Sequence, residues 1–287
     1  MMVRPANSHL FDGWTGLFRV IGTCNSVIND MPPAAKPYVD EKVINEAVAE
    51  ARFIRGVAYY LLAEFWGEVP IVENSIDYIL TNNLYLNKNT RKSVYEFVRR
   101  DLEYAKDNLP LTDDPGRVTS WSAKAMLAKL HLTMASNLSD PESSANFQKA
   151  KDFAADVITN SGLNLMSSYA DLFKMENKNS EESLFAIQLI NGGWGEGNSR
   201  QANWARNSLI TKNDEAWGQG KSGTYNFMNC YENGDLRKHS TIMTLGDIYP
   251  EINKSGGGYT YNIVSYNAAG EKTEDAAAIL NNIIREK

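Results

Sequence analysis

The chain has 287 residues, 43% hydrophobic and 22% charged, a globular composition with room for one large domain or two small ones. A formal net charge of −6 and a pI near 5.3 argue against a nucleic-acid backbone as the main partner. Two cysteines, Cys24 and Cys230, are too few for a disulfide framework and lack metal-site spacing, so both are expected as buried or half-buried thiols.

No run of about 18 apolar residues is present to span a bilayer. The opening MMVRPANSHLFDGW has no apolar core of the signal-peptide kind. LFRVIGTC, Leu17 to Cys24, has the outline of a lipoprotein cleavage site. Arg19 interrupts its apolar run and Thr23 stands where Gly or Ala is needed, so that reading is rejected.

Trp14, Leu17, Phe18, Ile21, Cys24, Val27 and Ile28 follow helical spacing, and Met31-Pro32-Pro33 stops the helix. A second, long helix is expected after Asp40, a candidate cap, and continues through AVAEARFIRGVAYYLLAEFWGEVPIV, Ala47 to Val72. Ala47, Ala51, Ile54, Ala58, Leu61, Leu62 and Phe65 form its stripe, widened by Phe53 and Val57. Its many small residues and nearly all-round apolar surface place it in the middle of a helical array. Gly67 breaks it, and Val69-Pro70-Ile71 leaves in extended conformation.

A polar connector, Glu73 to Lys92, follows. Ser93 with Glu96 reads as a capping box for a helix with Val94, Phe97, Val98, Leu102 and Ala105 inside. Thr119 is the expected cap of the next, with Ala123, Met126, Leu127, Leu130 and Met134 on one side. Phe147, Ala150, Phe153, Ala154, Val157 and Ile158 mark another, ended by Ser161-Gly162. These starts lie about 26 to 28 residues apart, near in kind to the 34-residue tetratricopeptide hairpin but less regular.

Beyond Leu163 the pattern changes. Leu184 to Gln188 reads as a short strand, and Asn191 to Tyr266 is rich in Gly, Asn, Ser, Trp and Tyr with little periodicity. Thr273 to Arg285 returns to helical spacing through Ala276, Ala277, Ile279, Leu280, Ile283 and Ile284. The division expected is a helical tetratricopeptide-like core over 1–162 and a loop-rich ligand-side region over 163–287, within one structural domain.

Several of these pieces, in order, resemble the SusD/RagB family. They are WTGLFRVIGTCNSVI with Asn25 near its end, EARFIRGVAYYLLAEFWGEVPIV, RKSVYEFVRRDLEYAKDNLP, GRVTSWSAKAMLAKLHL, FQKAKDFAADVI, YADLF, SEESLFAIQ and YENGDLRK. They cover residues 11 to 240. The resemblance implies a mainly α fold, tetratricopeptide-like hairpins against a loop-rich region. It further implies a surface lipoprotein of the outer membrane that hands oligosaccharides to a SusC-like TonB-dependent transporter. The family's lipidated cysteine, leader and second half find no counterpart here. A membrane contact would therefore run only through a lipid anchor missing from this sequence, and a partial chain is expected to be poorly stable or to associate.

The residues themselves show no reactive constellation. His9, His131 and His239 are far apart, and His131 reads as a packing histidine within a core helix. No GxSxG elbow, Walker loop or GxGxxG followed by a helix occurs, and the glycine-rich run from Gly192 to Gly197 carries no lysine. Any two of the 35 acidic residues could meet as a hydrolase pair, although Asp113-Asp114 and Glu181-Glu182 more often mark solvated turns. No enzyme activity, cofactor or metal is expected.

Sugar binding needs flat aromatics beside amides and guanidinium groups, which combine stacking area with directed hydrogen bonds. The stretch from Asn191 to Tyr231 supplies them, and the candidate ligand residues are Trp194, Trp204, Trp217, Tyr225, Asn191 and Arg206. Asn82, Asn83 and Tyr85 in the connector are a second candidate. Trp14, Trp66 and Trp121 are expected in the core, Arg52 and Arg55 as helix braces, Arg117 as a loop tie, and Asp235 with Arg237 as a turn pair. The alternative reading is a tetratricopeptide-type scaffold whose helical groove holds a peptide.

Overall fold

The computed structural model describes residues 8–82, 85–137, 142–189, 224–244, 246–252, 254–261, 265–266 and 272–273. Seven α-helices come first: α1 (Ser8–Asn29), α2 (Met31–Ala35), α3 (Glu41–Trp66), α4 (Ser75–Leu80), α5 (Arg91–Asn108), α6 (Ser120–Asn137) and α7 (Ser143–Asn160). Together with residues 183–186 they make one compact unit.

Within this unit the long helices stack in the order α1, α3, α5, α6, α7, so α3 has a neighbour on each side. Phe53, Tyr59, Leu62 and Ala63 of α3 are fully buried, as are Val94, Tyr95, Val98 and Leu102 of α5 and Leu127 and Leu130 of α6. The small residues explain the close approach. A Cβ on Gly56 would sit 3.4 Å from the Leu102 side chain, so α5 packs almost onto the α3 backbone there. Phe65, expected in the stripe, is instead 68% exposed at the end of α3, where the array no longer covers that face.

The helix ends show which local signals act. Gly67, at φ +78°, terminates α3 and donates its N–H to the Ala63 carbonyl. Asp40 stands at the N-cap of α3, but its side chain makes no capping bond. The cap of α5 is Thr90 rather than Ser93: the Thr90 hydroxyl accepts from the Ser93 N–H at 3.2 Å. Ser93 therefore lies inside the first turn, and Glu96 pairs with Arg99 at 2.8 Å. Thr119 does cap α6, accepting from the Ser122 N–H, while the Ser122 hydroxyl accepts from the Thr119 N–H at 3.0 Å. Helices α5, α6 and α7 start at residues 91, 120 and 143, an uneven spacing.

The last two helices are joined by polar contacts as well as apolar ones. His131 Nδ1 lies 2.8 Å from Asn146 Oδ1, and the imidazole stacks on Phe153 at 5.9 Å. Lys124 meets Asp156 at 2.7 Å. The expected strand at Leu184–Gln188 does not form. The Leu184 carbonyl accepts from the Ser122 hydroxyl at 2.5 Å and Phe185 packs edge-on against Phe53, so helical side chains take the place of a strand partner.

Residues 165–182 and those from 187 onward belong to a second unit. It contains 3₁₀ turns at Tyr169–Phe173 and Met175–Asn177, and short helices α8 (Tyr225–Met228) and α9 (Arg237–Thr241). Among its described residues are also two antiparallel strand pairs: β1 (Ile248–Tyr249) with β2 (Tyr259–Thr260), and β3 (Ser265–Tyr266) with β4 (Lys272–Thr273). Met243, Tyr249, Ile252, Tyr259 and Tyr261 form its small core. The helix expected from Thr273 to Arg285 lies outside the described residues, apart from Thr273 in β4.

Candidate functional site

The best-matching sequence motif folds around a buried polar framework. Arg55, on α3, donates from Nε to Asp101 Oδ2 at 2.7 Å and from its terminal nitrogen to Oδ1 at 2.8 Å. Its other terminal nitrogen donates to Asn25 Oδ1 of α1 at 2.7 Å. Three helices are thus joined through one guanidinium. Burial weighs against its charge, but the Asp101 carboxylate more than offsets this, so Arg55 holds its proton more tightly than a free arginine. Arg52 adds a longer contact to Asp101 at 3.8 Å and lies over the Tyr104 ring. Both arginines brace helices, as expected.

The framework also fixes the chain leaving α3. Asn25 Nδ2 donates to the Val72 carbonyl at 2.7 Å, and the Val72 N–H donates to the Tyr59 hydroxyl at 2.7 Å. Burial pushes the Tyr59 phenol up to about 12, so it stays protonated. The Ile71 N–H donates to Asn89 Oδ1 at 2.9 Å, and Val69 bridges Asn89. Sequence reasoning missed Asp101. The available signal was an aspartate beside Phe97, Val98 and Leu102 on the apolar side of α5, a place that calls for a cationic partner.

The recesses among the described residues include a groove in the helical unit and a smaller cavity in the second unit. A groove of about 480 Å³ lies between the start of α3 and the end of α5, lined by Glu41, Lys42, Asn45, Glu46, Asp107 and Asn108 among others. Its size suits a small ligand, but it offers hydrogen bonds without a flat ring. In the second unit a cavity of about 80 Å³ is bounded by Phe173, Lys174, His239, Tyr249 and Glu251 with aliphatic neighbours. His239 stacks on Tyr249 at 4.4 Å. This cavity is too small for an oligosaccharide.

Of the ligand residues expected from the sequence, Asn191, Trp194, Trp204, Arg206 and Trp217 lie outside the described residues. Tyr225 is the first residue of α8. In the connector, Asn82 adopts φ +50° and Tyr85 is 97% exposed. Trp14 and Trp66 pack half-buried against the helical core, 5.6 Å apart and edge-on. Trp121 is also half-buried, with Lys124 over its ring at 4.1 Å. Arg117 bonds to Asp113 at 3.1 Å and to Glu50, and Arg237 grips Asp235 at 2.6 Å, as the sequence suggested. Cys24 is buried, as expected, whereas Cys230 is exposed rather than buried or half-buried. Among the described residues no group of three or more His, Cys, Asp or Glu could hold a metal ion, and no helix is long and apolar enough to cross a membrane.

A stack of antiparallel helices around a small-residue central helix defines a tetratricopeptide-like helical protein. Comparison with known proteins shows what the chain is similar to. The family described as starch-binding and associating with the outer membrane matches residues 3–132. A SusD-like protein of Bacteroides ovatus is 36% identical over 262 residues, 90% of this chain and 47% of the relative. A crystal structure with xylogluco-oligosaccharide is 33% identical with a TM-score of 0.83, covering 99% of this chain and 54% of that one. A laminarin-binding SusD-like protein, at 21% identity and a TM-score of 0.69, shares the fold over 94% of this chain and 58% of its own. In sequence and in fold the chain is similar to SusD-like proteins. It spans about a third to a half of the length of the curated relatives it matches.

Proposed function

We propose that the protein containing this chain binds oligosaccharides at the surface of the outer membrane, without catalysis, for import through a SusC-like TonB-dependent transporter. The observation that carries this reading is the 33% identity over 99% of the chain with a structure that holds xylogluco-oligosaccharide. The description of the matching family as starch-binding and outer-membrane-associated supports it.

In this reading the helical part, 1–162, is scaffold, and the region 163–287 supplies the ligand side. Trp194, Trp204, Trp217 and Tyr225 stack on the C–H faces of sugar rings, while Asn191 and Arg206 bond their hydroxyls. Capture needs no covalent step, and contact with the membrane runs through a lipid anchor. Calorimetric titration with xyloglucan and starch oligosaccharides tests it. Binding abolished by Trp194→Ala or Trp204→Ala is the expected result. A chain that binds neither glycan, yet captures a peptide unaffected by those changes, would overturn it in favour of a peptide-binding scaffold.

A further inference from the structure

The turn between α8 and α9 is closed by a hydrogen bond from the Asp235 N–H to the Glu232 carbonyl at 3.1 Å. Asn233 and Gly234 are its two middle residues, and Gly234 takes φ +88°, a left-handed conformation that suits glycine. The turn runs straight into α9. The Asp235 carboxylate accepts from the Arg237 N–H at 3.0 Å and holds the Arg237 guanidinium at 2.6 Å, while the Asp235 carbonyl accepts from the Lys238 N–H at 3.2 Å.

Asn233 and Gly234 are both exposed, and among the described residues neither the Asn233 amide nor the Gly234 N–H has a hydrogen-bond partner. Apart from its chain neighbours, no heavy atom stands within 4 Å of the place a Cβ on Gly234 would take. The Gly234 nitrogen can therefore swing against the Asn233 side chain without obstruction. Asn25 is the opposite case. It too precedes a small residue, Ser26, but it is 3% exposed, its amide oxygen accepts from Arg55 at 2.7 Å, and its amide nitrogen is spent on the Val72 carbonyl.

We propose that Asn233 is a site of spontaneous covalent modification in the folded chain, converted to aspartate and isoaspartate. The Gly234 backbone nitrogen attacks Cγ of Asn233, the Cγ–Nδ2 bond breaks, and ammonia leaves with the proton lost from the Gly234 nitrogen. Water then opens the resulting succinimide. Opening at Cγ gives aspartate; opening at the backbone carbonyl carbon gives isoaspartate, whose main chain is one carbon longer. Nothing is oxidised or reduced, and the co-reactant is water. Asparagine is a thermolabile residue, and an untied amide beside an unhindered glycine meets the least opposition to this chemistry. Either product puts a new carboxylate in the turn with Glu232 and Asp235, and the longer chain of isoaspartate does not fit the closed turn that leads into α9.

The test holds the full 287-residue chain in mildly alkaline buffer over several weeks, native and in urea, and reads each asparagine by fragmentation of its tryptic peptide, 222–237 for Asn233. Native Asn233 is expected to convert within about threefold of its rate in urea, whereas the fold slows Asn25 by more than about tenfold. Gly234→Ala is expected to slow Asn233 about tenfold, and Asn233→Gln, whose longer side chain closes no five-membered ring, to stop the conversion. Native Asn233 slowed by the fold as strongly as Asn25 would overturn the proposal, because the turn would then hold the amide. Parental conversion in Gly234→Ala, or aspartate formed without isoaspartate, would overturn the succinimide route.

Discussion

Arg55 and Asp101 form a two-point ion pair between α3 and α5, with side chains 4% and 2% exposed. A charge this deeply buried is tolerable only while its partner is present. Asp101→Ala leaves the guanidinium with the Asn25 amide alone and is expected to cost about 3–5 kcal/mol. Asn25→Ala leaves the ion pair intact and removes two hydrogen bonds, for about 1–3 kcal/mol. Urea unfolding followed by circular dichroism checks both, and equal costs would contradict this ranking.

Backbone conformation and close packing predict two further losses. Gly67 lies at φ +78°, where an added Cβ would also meet the end of the Arg91 side chain at 3.1 Å. Gly67→Ala should cost about 1–2 kcal/mol. Gly56→Val, driven into the Leu102 side chain, should cost about 1–3 kcal/mol. A Gly56 variant that melts at the parental temperature would mean that α3 and α5 can separate without penalty.

The buried His131 makes stability depend on pH. Burial lowers its pKa below the ordinary value, against the opposing effect of the Asn146 bond. Between the folded pKa and the unfolded value of about 6.5 the unfolded chain binds more protons. The neutral ring's contribution is therefore complete above about pH 6.5 and falls as the solution is acidified through that range. His131→Gln should flatten that part of the stability curve relative to the parent. Parallel curves for the two proteins between about pH 5 and 7 would contradict the assignment.

The two thiols should differ sharply in reactivity. Burial pushes Cys24 up to about 11, with Arg55 opposing, while Cys230 is exposed beside the Asn226 carbonyl. Iodoacetamide should alkylate Cys230 in the native protein and reach Cys24 only after unfolding. Mass spectrometry of the tryptic peptides reads the order directly.

Local order in this protein was written in short-range chemistry. The apolar spacing of α5, the break at Gly67 and the Thr119 cap each depend on residues within one or two turns, so each could be read from neighbours alone. The same local reading misplaced the start of α5, because Ser93 and Thr90 are equally good cap residues and only the backbone turn decides between them. It also assigned a strand to Leu184–Gln188, whose apolar run serves instead to pack Phe185 on Phe53. The ring types suited to sugar were legible in the composition of the Asn191–Tyr231 stretch, but convergence on one ligand depends on long-range placement.

Sequence by itself determined the long helices α1, α3, α5, α6 and α7, the central place of α3 and the likeness to SusD proteins, since periodicity and small-residue runs are properties of adjacent positions. Tertiary structure alone decided that Arg55 answers Asp101 and Asn25, residues 46 and 30 positions away. It likewise decided that Phe65 and Tyr85 face water while Tyr59 and Tyr95 do not. The reason is physical: an aromatic or charged side chain has no burial of its own, and its energy is set by whichever distant surface the fold brings against it.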